Sequence, residues 1–146
     1  MFRGSAATKI DEKGRLKVPT EFRRLLAERY GPDVFLTSVL GDSVLLYPLS
    51  VWEEIESRLA AMPSTDRVKQ RFLERVSYYG QQGKIDGQGR VLVPPILRDS
   101  AEMAGEVVVS GRIDYLEVWN RTRLEKRFSD EPFTDDDFRY LSEHKI

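Results

Sequence analysis

One motif occurs twice in the chain. Lys9-Ile10-Asp11-Glu12-Lys13-Gly14-Arg15-Leu16-Lys17-Val18-Pro19 returns 75 positions later as Lys84-Ile85-Asp86-Gly87-Gln88-Gly89-Arg90-Val91-Leu92-Val93-Pro94. Between residues 9–23 and 84–98, 8 of 15 positions are identical: Lys9/Lys84, Ile10/Ile85, Asp11/Asp86, Gly14/Gly89, Arg15/Arg90, Val18/Val93, Pro19/Pro94 and Arg23/Arg98. Leu16/Val91 and Phe22/Leu97 are conservative pairs. A match at one fixed offset marks two copies of one supersecondary unit. In a chain of 146 residues each unit spans about 60–70, a size at which a separate core is marginal. The two units are therefore expected to share a core.

Each copy opens with two short runs of β-formers around a tight turn. Ala7–Ile10 and Arg15–Val18 flank Asp11-Glu12-Lys13-Gly14. Asp at the first turn position and Gly at the fourth predict a type I turn closed by a glycine bulge. Pro19 suits a first helical turn, where a missing N–H costs little. Phe22, Leu25, Leu26 and Arg29 form a one-faced stripe, and Gly31-Pro32 stops it. Asp33–Val39 and Ser43–Tyr47 read as strands around Gly41-Asp42. The second copy repeats this order. Tyr78–Ile85 and Arg90–Val93 flank Asp86-Gly87-Gln88-Gly89. A helix from Pro94-Pro95 through Ala104 ends at Gly105, and strands follow at Glu106–Ser110 and Ile113–Trp119. Trp119 corresponds to Tyr47 at an offset of 72, so the second copy is three residues shorter.

Between the copies, Ser50 and Glu53 have the spacing of a capping box, ahead of a helix with Trp52, Ile55 and Leu59 on one face. Pro63 stops it. Ser64–Tyr79 reads as a second helix, with Val68, Phe72 and Val76 inward and Arg67, Lys69, Arg71 and Arg75 on a solvated face. After the second copy, Arg121–Phe128 is the counterpart of Ser50–Met62. Asp135-Asp136-Asp137 suits the first turn of a terminal helix. The expected division is a first β-β-α-β-β unit at 1–48, a helical connector at 49–77, a second unit at 78–124, and an acidic, partly helical tail at 125–146. The fold class is α+β, mainly β with short helices.

Several functions are disfavoured by what the sequence lacks. There is no cysteine, and the single histidine, His144, lies three residues from the end. Thiolate and histidine metal sites and cysteine–histidine nucleophiles therefore have no ligand set. No phosphate-binding glycine loop precedes a helix. Neither a cofactor nor a small-molecule substrate is expected. Asp11 and Asp86 occupy equivalent positions and could in principle form a carboxylate dyad. Each, however, starts a turn and precedes an arginine by four residues, so turn-capping or arginine pairing is the simpler role. No apolar run reaches transmembrane length, and Met1-Phe2-Arg3-Gly4 leads directly into the first unit. A cytoplasmic, nucleoid-associated protein is expected.

Charge is unevenly distributed. Residues 1–24 hold seven basic and three acidic residues, a net +4, whereas residues 129–146 hold two basic and six acidic, a net −4. A binding partner responds to the local field rather than to the overall net charge of −1. Lys13, Arg15 and Lys17 alternate, which period two places on one face of the hairpin. A two-stranded ribbon fits the major groove of duplex DNA, where arginine can bond guanine O6 and N7 while lysines meet phosphates. The second copy offers Gln88, Arg90 and Leu92 instead. Two roles stay open to Arg15 and Arg90: DNA contact, or buried pairing with Asp11 and Asp86. Both can hold at once.

At these residues the chain resembles the MraZ family, whose domains belong to the swapped-hairpin class of AbrB and SpoVT. The resemblance rests on Met1-Phe2-Arg3-Gly4, the doubled Asp-x-x-x-Arg runs and Leu45-Leu46-Tyr47-Pro48 with Trp52. It fades after about Phe128. It implies a pseudo-dimeric barrel of two interlocked units and closed homo-oligomeric rings, octamers or dodecamers. It also implies regulation of transcription, with repression the expected sign, at direct repeats upstream of the chain's own division and cell-wall gene cluster. The motif arginines map to Arg15 and Arg90. Lys13 and Lys17 join them on charge and phase, with Arg3 as a further phosphate partner and Asp11, Gly14, Asp86 and Gly89 as scaffold. The alternative from another class is a non-catalytic assembly or antitoxin-like module that binds a protein through the tail.

Overall fold

A computed structural model describes all 146 residues. The first repeat holds β1 (Ser5–Ile10), β2 (Arg15–Lys17), α1 (Thr20–Arg29), β3 (Asp33–Thr37) and β4 (Val44–Pro48). The helices α2 (Leu49–Ala60) and α3 (Arg67–Tyr78) connect it to the second. That repeat holds β5 (Gln81–Lys84), β6 (Arg90–Leu92), α4 (Pro95–Ser100), β7 (Gly105–Gly111) and β8 (Leu116–Asn120). Then come α5 (Arg121–Asp130) and α6 (Asp135–Glu143). Each repeat is β-β-α-β-β, and no helix is long and apolar enough to cross a membrane.

The repeats interlock. All eight strands form one sheet in the order β5-β3-β4-β8-β7-β1-β2-β6, and β5 lies beside β6 at the seam. The result is a nearly closed antiparallel barrel. Closure suits short strands because it leaves few unpaired edge groups. Four pairings cross between repeats: β1 with β7, β2 with β6, β3 with β5 and β4 with β8. Two of them join equivalent strands and mark a pseudo-twofold axis. In the β2–β6 pair, Leu16 faces its counterpart Val91, with Arg15 opposite Leu92 and Lys17 opposite Arg90 on either side. In the β4–β8 pair, Leu45 faces Glu117, its counterpart at an offset of 72.

One buried cluster of 19 residues draws on both repeats, from Phe2, Leu16, Val18 and Leu26 to Val91, Val93, Leu97 and Val118. Alternation along the strands puts Leu16 and Val91 inside and their neighbours outside. Burying each large apolar side chain contributes about 1.5–3 kcal/mol. Phe2 belongs to this core. Its backbone bridges to Ile113, and its ring stacks on Tyr30 at 5.9 Å and meets Phe22 edge-on at 6.0 Å. On the outside of the barrel, Trp52 of α2 stacks on Phe35 at 4.7 Å and lies 5.1 Å from Tyr47.

Several local expectations change. The Ser50–Glu53 capping box does not form: α2 starts at Leu49, with Pro48 at its cap and no side-chain cap bond. Tyr47-Pro48 is held in β4, so the helix begins directly where the strand ends. A capping box does form at α6, where Thr134 and Asp137 exchange bonds. Asp66 and Asn120 cap α3 and α5. The helix after Pro94 stops at Ser100, because Glu102 turns to φ 52°, and Gly105 begins β7 rather than ending that helix.

Candidate nucleic-acid interface

The two turns have the same construction. In the first, the Gly14 N–H donates to Asp11 O at 2.9 Å, and Gly14 sits at φ 84°. Asp11 Oδ1 accepts from the Lys13 and Arg15 N–H groups at 3.0 and 2.9 Å. In the second, Asp86 Oδ1 accepts from Gln88 and Arg90 N–H at 2.8 and 2.9 Å, with Gly89 at φ 76°. These backbone donors, that of Arg15 or Arg90 foremost, hold both carboxyls below the usual carboxylate range. Each carboxylate is committed to its own turn.

The two motif arginines then differ. Arg15 Nε donates to Asp11 Oδ2 at 2.8 Å, while its two terminal nitrogens donate to nothing in the chain. Arg90 Nε lies 3.5 Å from Asp86 Oδ2, a longer ion pair than that of Arg15, and this buried donor has no hydrogen-bond acceptor. Both side chains remain partly accessible, at 35% and 28%. Carboxylate pairing and an outward-facing guanidinium thus coexist.

The expectation of a free-standing ribbon is corrected. β1 pairs with β7 as well as β2, and β2 pairs with β6 as well as β1. Neither strand of the hairpin has a free edge, so the exposed element is the outer face of a sheet rather than a two-stranded wedge. Lys13 lies in the turn, off the strand that carries Arg15 and Lys17. It is exposed but does not continue their row. Arg3 precedes β1 at the opposite end from the turn, beside Glu21, Arg24 and Arg29. About 3.3 Å per residue along β1 separates it from the other candidates.

Arg15, Lys17 and Arg90 do come together, through the β2–β6 pairing. One step from the Ile10–Leu16 pair, Lys9 faces Lys17, and Lys17 faces Arg90. Three cations thus stand across three neighbouring strands, about 5 Å apart. Like charges directly opposite one another are unfavourable, and an anion laid across them relieves that repulsion. Lys17 Nζ donates to Gln88 O at 2.6 Å, which fixes the middle of the row. Lys9 was not singled out by its sequence, although the Lys9/Lys84 identity was visible.

A second pair was also visible without an assigned role. Arg23 Nη2 donates to Gly87 O at 2.6 Å, and its side chain covers Gly89, where an added Cβ would meet Arg23 Cδ at 2.7 Å. Its counterpart Arg98 covers Gly14 by packing, without a hydrogen bond to the turn and with its buried Nε unpaired. The turns are further joined by Val18 N–H donating to Gly89 O and Val93 N–H to Gly14 O, both at 2.8 Å.

The sequence family described as "MraZ protein, putative antitoxin-like" matches residues 1–75 and 80–143, which takes the likeness beyond Phe128 into the acidic tail. A protein of Acidobacterium capsulatum named Transcriptional regulator MraZ is 47% identical over 143 residues, 98% of each chain. The protein of the same name from Koribacter versatilis is 44% identical over 98% of each. That of Escherichia coli K12 is 37% identical over 84% of this chain and 81% of its own.

Proposed function

The chain belongs to the MraZ family, and on that premise we propose that it is a DNA-binding transcriptional regulator reading duplex DNA with the outer face of β2 and β6. The observation that carries this reading is the Lys9–Lys17–Arg90 row beside Arg15, whose terminal nitrogens are unengaged. The row matches a phosphate backbone, a sequence-independent contact that positions the protein. Arg15 is the base reader. Its Nε is fixed by Asp11, so the remaining fork is presented to guanine O6 and N7 with little rotamer entropy left to lose. Lys13 at the turn and Arg3 further along the barrel are phosphate partners on either side. Arg90 faces the same surface with a looser brace.

One barrel presents one such face. A homo-oligomeric ring would repeat it at regular intervals, and direct repeats upstream of the division and cell-wall cluster that includes its own gene are the matching target. Multivalent contact then raises weak single-site binding. The test is footprinting on that upstream DNA across a salt series, with an unrelated fragment of equal length. Protection of spaced repeats at salt that releases the unrelated fragment supports the reading. Equal affinity for both fragments overturns the specific part, and no retardation of either overturns DNA binding altogether.

A further inference from the structure

We propose that α6 of one copy docks in the groove between α2 and α3 of a second copy. The inference rests on the self-assembly part of the reading above and is independent of its DNA part.

The groove is an apolar trough of about 320 Å³, lined by Ile55, Leu59, Met62, Val68 and Phe72. Val68 is 64% exposed at its edge. In an amphipathic helix the apolar stripe normally faces a partner. Only Val76, near the C-terminal end of α3, is fully buried, with its carbonyl accepting from Thr37 Oγ1 at 2.7 Å. Towards the N-terminal end of that stripe Phe72 is half-buried and Val68 is open to solvent.

The tail has the complementary deficit. From Glu125 to Tyr140 every residue is exposed. The helix α6 is nonetheless well defined locally, closed by the Thr134–Asp137 capping box. Phe138 and Leu141 stand three apart on one face, and Phe133 folds back onto Phe138 with ring centroids 4.7 Å apart. Together they make a compact apolar knob on a helix of nine residues, about 13 Å long. A short helix of this kind is stabilised mainly by what its apolar face packs against, and within the chain that face packs against nothing large.

Charge selects the partner. α3 carries Arg67, Lys69, Arg71 and Arg75 against Glu74, whereas residues 129–146 carry six acids against two bases. Arg67 and Arg71 have no carboxylate partner in their own chain, and neither do Asp135 and Glu143 (the other charges of α6 are used locally by Arg139–Asp136 and the capping box). The repeat adds a further reason. α5 and α6 follow β8 as α2 and α3 follow β4, so the tail is the second repeat's version of the connector. In the first repeat the chain continues from α3 into β5. In the second, the strand equivalent to β5 is β1, which is entered from the N-terminal segment with Phe2 bridged to Ile113. α6 is therefore not tied to its own barrel by a following strand as α3 is.

The absence of cysteine makes a direct test possible. A chain carrying Leu141→Cys is mixed with a chain of different tag length carrying Val68→Cys, and the mixture is oxidised. The expected product is a disulfide-linked heterodimer. It should be lost to background when Phe138→Asp is added, or when Val68→Cys is replaced by Ser5→Cys on β1. A heterodimer no stronger than the Ser5 control overturns the proposal. So does a chain carrying both Leu141→Cys and Val68→Cys that closes internally and runs as a monomer. Light scattering separates the premises. If the wild-type chain assembles and deletion of 131–146 leaves its mass per particle unchanged in subunits, the α6 contact is wrong while self-assembly stands. A wild-type chain that is monomeric at tens of micromolar overturns both, and footprinting reads the DNA function independently of either outcome.

Discussion

Arg23 of α1 donates from Nη2 to the carbonyl oxygen of Gly87, 2.6 Å away in the turn of the other repeat. Each repeat's helix thus lies against the partner repeat's hairpin, with a hydrogen bond from Arg23 on one side and packing of Arg98 over Gly14, its buried Nε without an acceptor, on the other. A charged donor on a carbonyl contributes more than a neutral one. Arg23→Ala is expected to cost about 1–2 kcal/mol in urea unfolding. Arg24→Ala, which removes an exposed pair with Glu21, is expected to leave the unfolding midpoint nearly unchanged. Arg23→Ala and Arg98→Ala should be non-additive, because Val18–Gly89 and Val93–Gly14 bonds join the two turns. Equal effects of Arg23→Ala and Arg24→Ala would remove the bracing role.

Glycine identity matters at Gly14 and not at Gly87. Gly14 has a positive φ and carries the Arg98 side chain where a Cβ would go, whereas Gly87 has open space there. Gly14→Ala is expected to cost about 1–2 kcal/mol for the left-handed backbone alone, with displacement of Arg98 in addition. Gly87→Ala should be close to neutral. A pair of melting curves decides, and a Gly14→Ala protein as stable as wild type contradicts the assignment.

The DNA face separates into reader and phosphate contacts. Arg15→Ala should abolish discrimination between the upstream repeats and unrelated DNA while the fold persists. Lys17→Ala should weaken both fragments and lower the slope of log affinity against log salt by about one. Leu92, the exposed counterpart of Lys17, supplies the converse. Leu92→Lys should raise that slope by about one. A slope unchanged by either lysine substitution would take the centre of the sheet out of phosphate contact.

Acid sensitivity follows from the turns. Asp11 and Asp86 are held below their ordinary value of 3.8 by backbone donors. A carboxylate depressed in the folded state contributes stability that is present above 3.8 and is lost as pH falls through the folded value. Asn in place of Asp keeps the Oδ1 acceptor but cannot titrate. The doubly substituted Asp11→Asn, Asp86→Asn chain should therefore lose less stability than wild type between about pH 5 and pH 2. Parallel acid limbs for the two proteins would show that other groups govern acid unfolding.

Phe2→Ala tests the N-terminal bridge. Phe2 is only 2% exposed and stacks on Tyr30, so truncation should open a cavity and cost about 3–5 kcal/mol. Met1→Ala, at an exposed neighbour, should change little. Similar unfolding midpoints for the two would place Phe2 outside the core.

Much of this was legible in the residues because it is local. The offset repeat, the Asp-to-Gly turns, the Gly31 stop and both β-β-α-β-β orders depend on contacts a few positions apart. Arg23 and Arg98 were visible as a repeated pair but unreadable in role, since their targets lie 64 residues or more away. The Ser50 box had the right spacing and failed because β4 holds the chain through Pro48. Capping preference is a smaller effect than a strand ladder.

The sequence by itself determined two equivalent units, their turn chemistry and the charge contrast between the N-terminal segment and the tail. Periodicity and turn stereochemistry act within a few residues. Which unit each strand pairs with was decided only by the tertiary structure. Units of this size bury too little alone, and exchange of strands gives them one common core. That exchange removed the free ribbon expected around Arg15, set Lys9, Lys17 and Arg90 in a row, and left Lys13 in the turn and Arg3 at the far end of β1. It also left α6 untethered at its C-terminal side, because the strand equivalent to β5 is β1, which the chain enters from its other end.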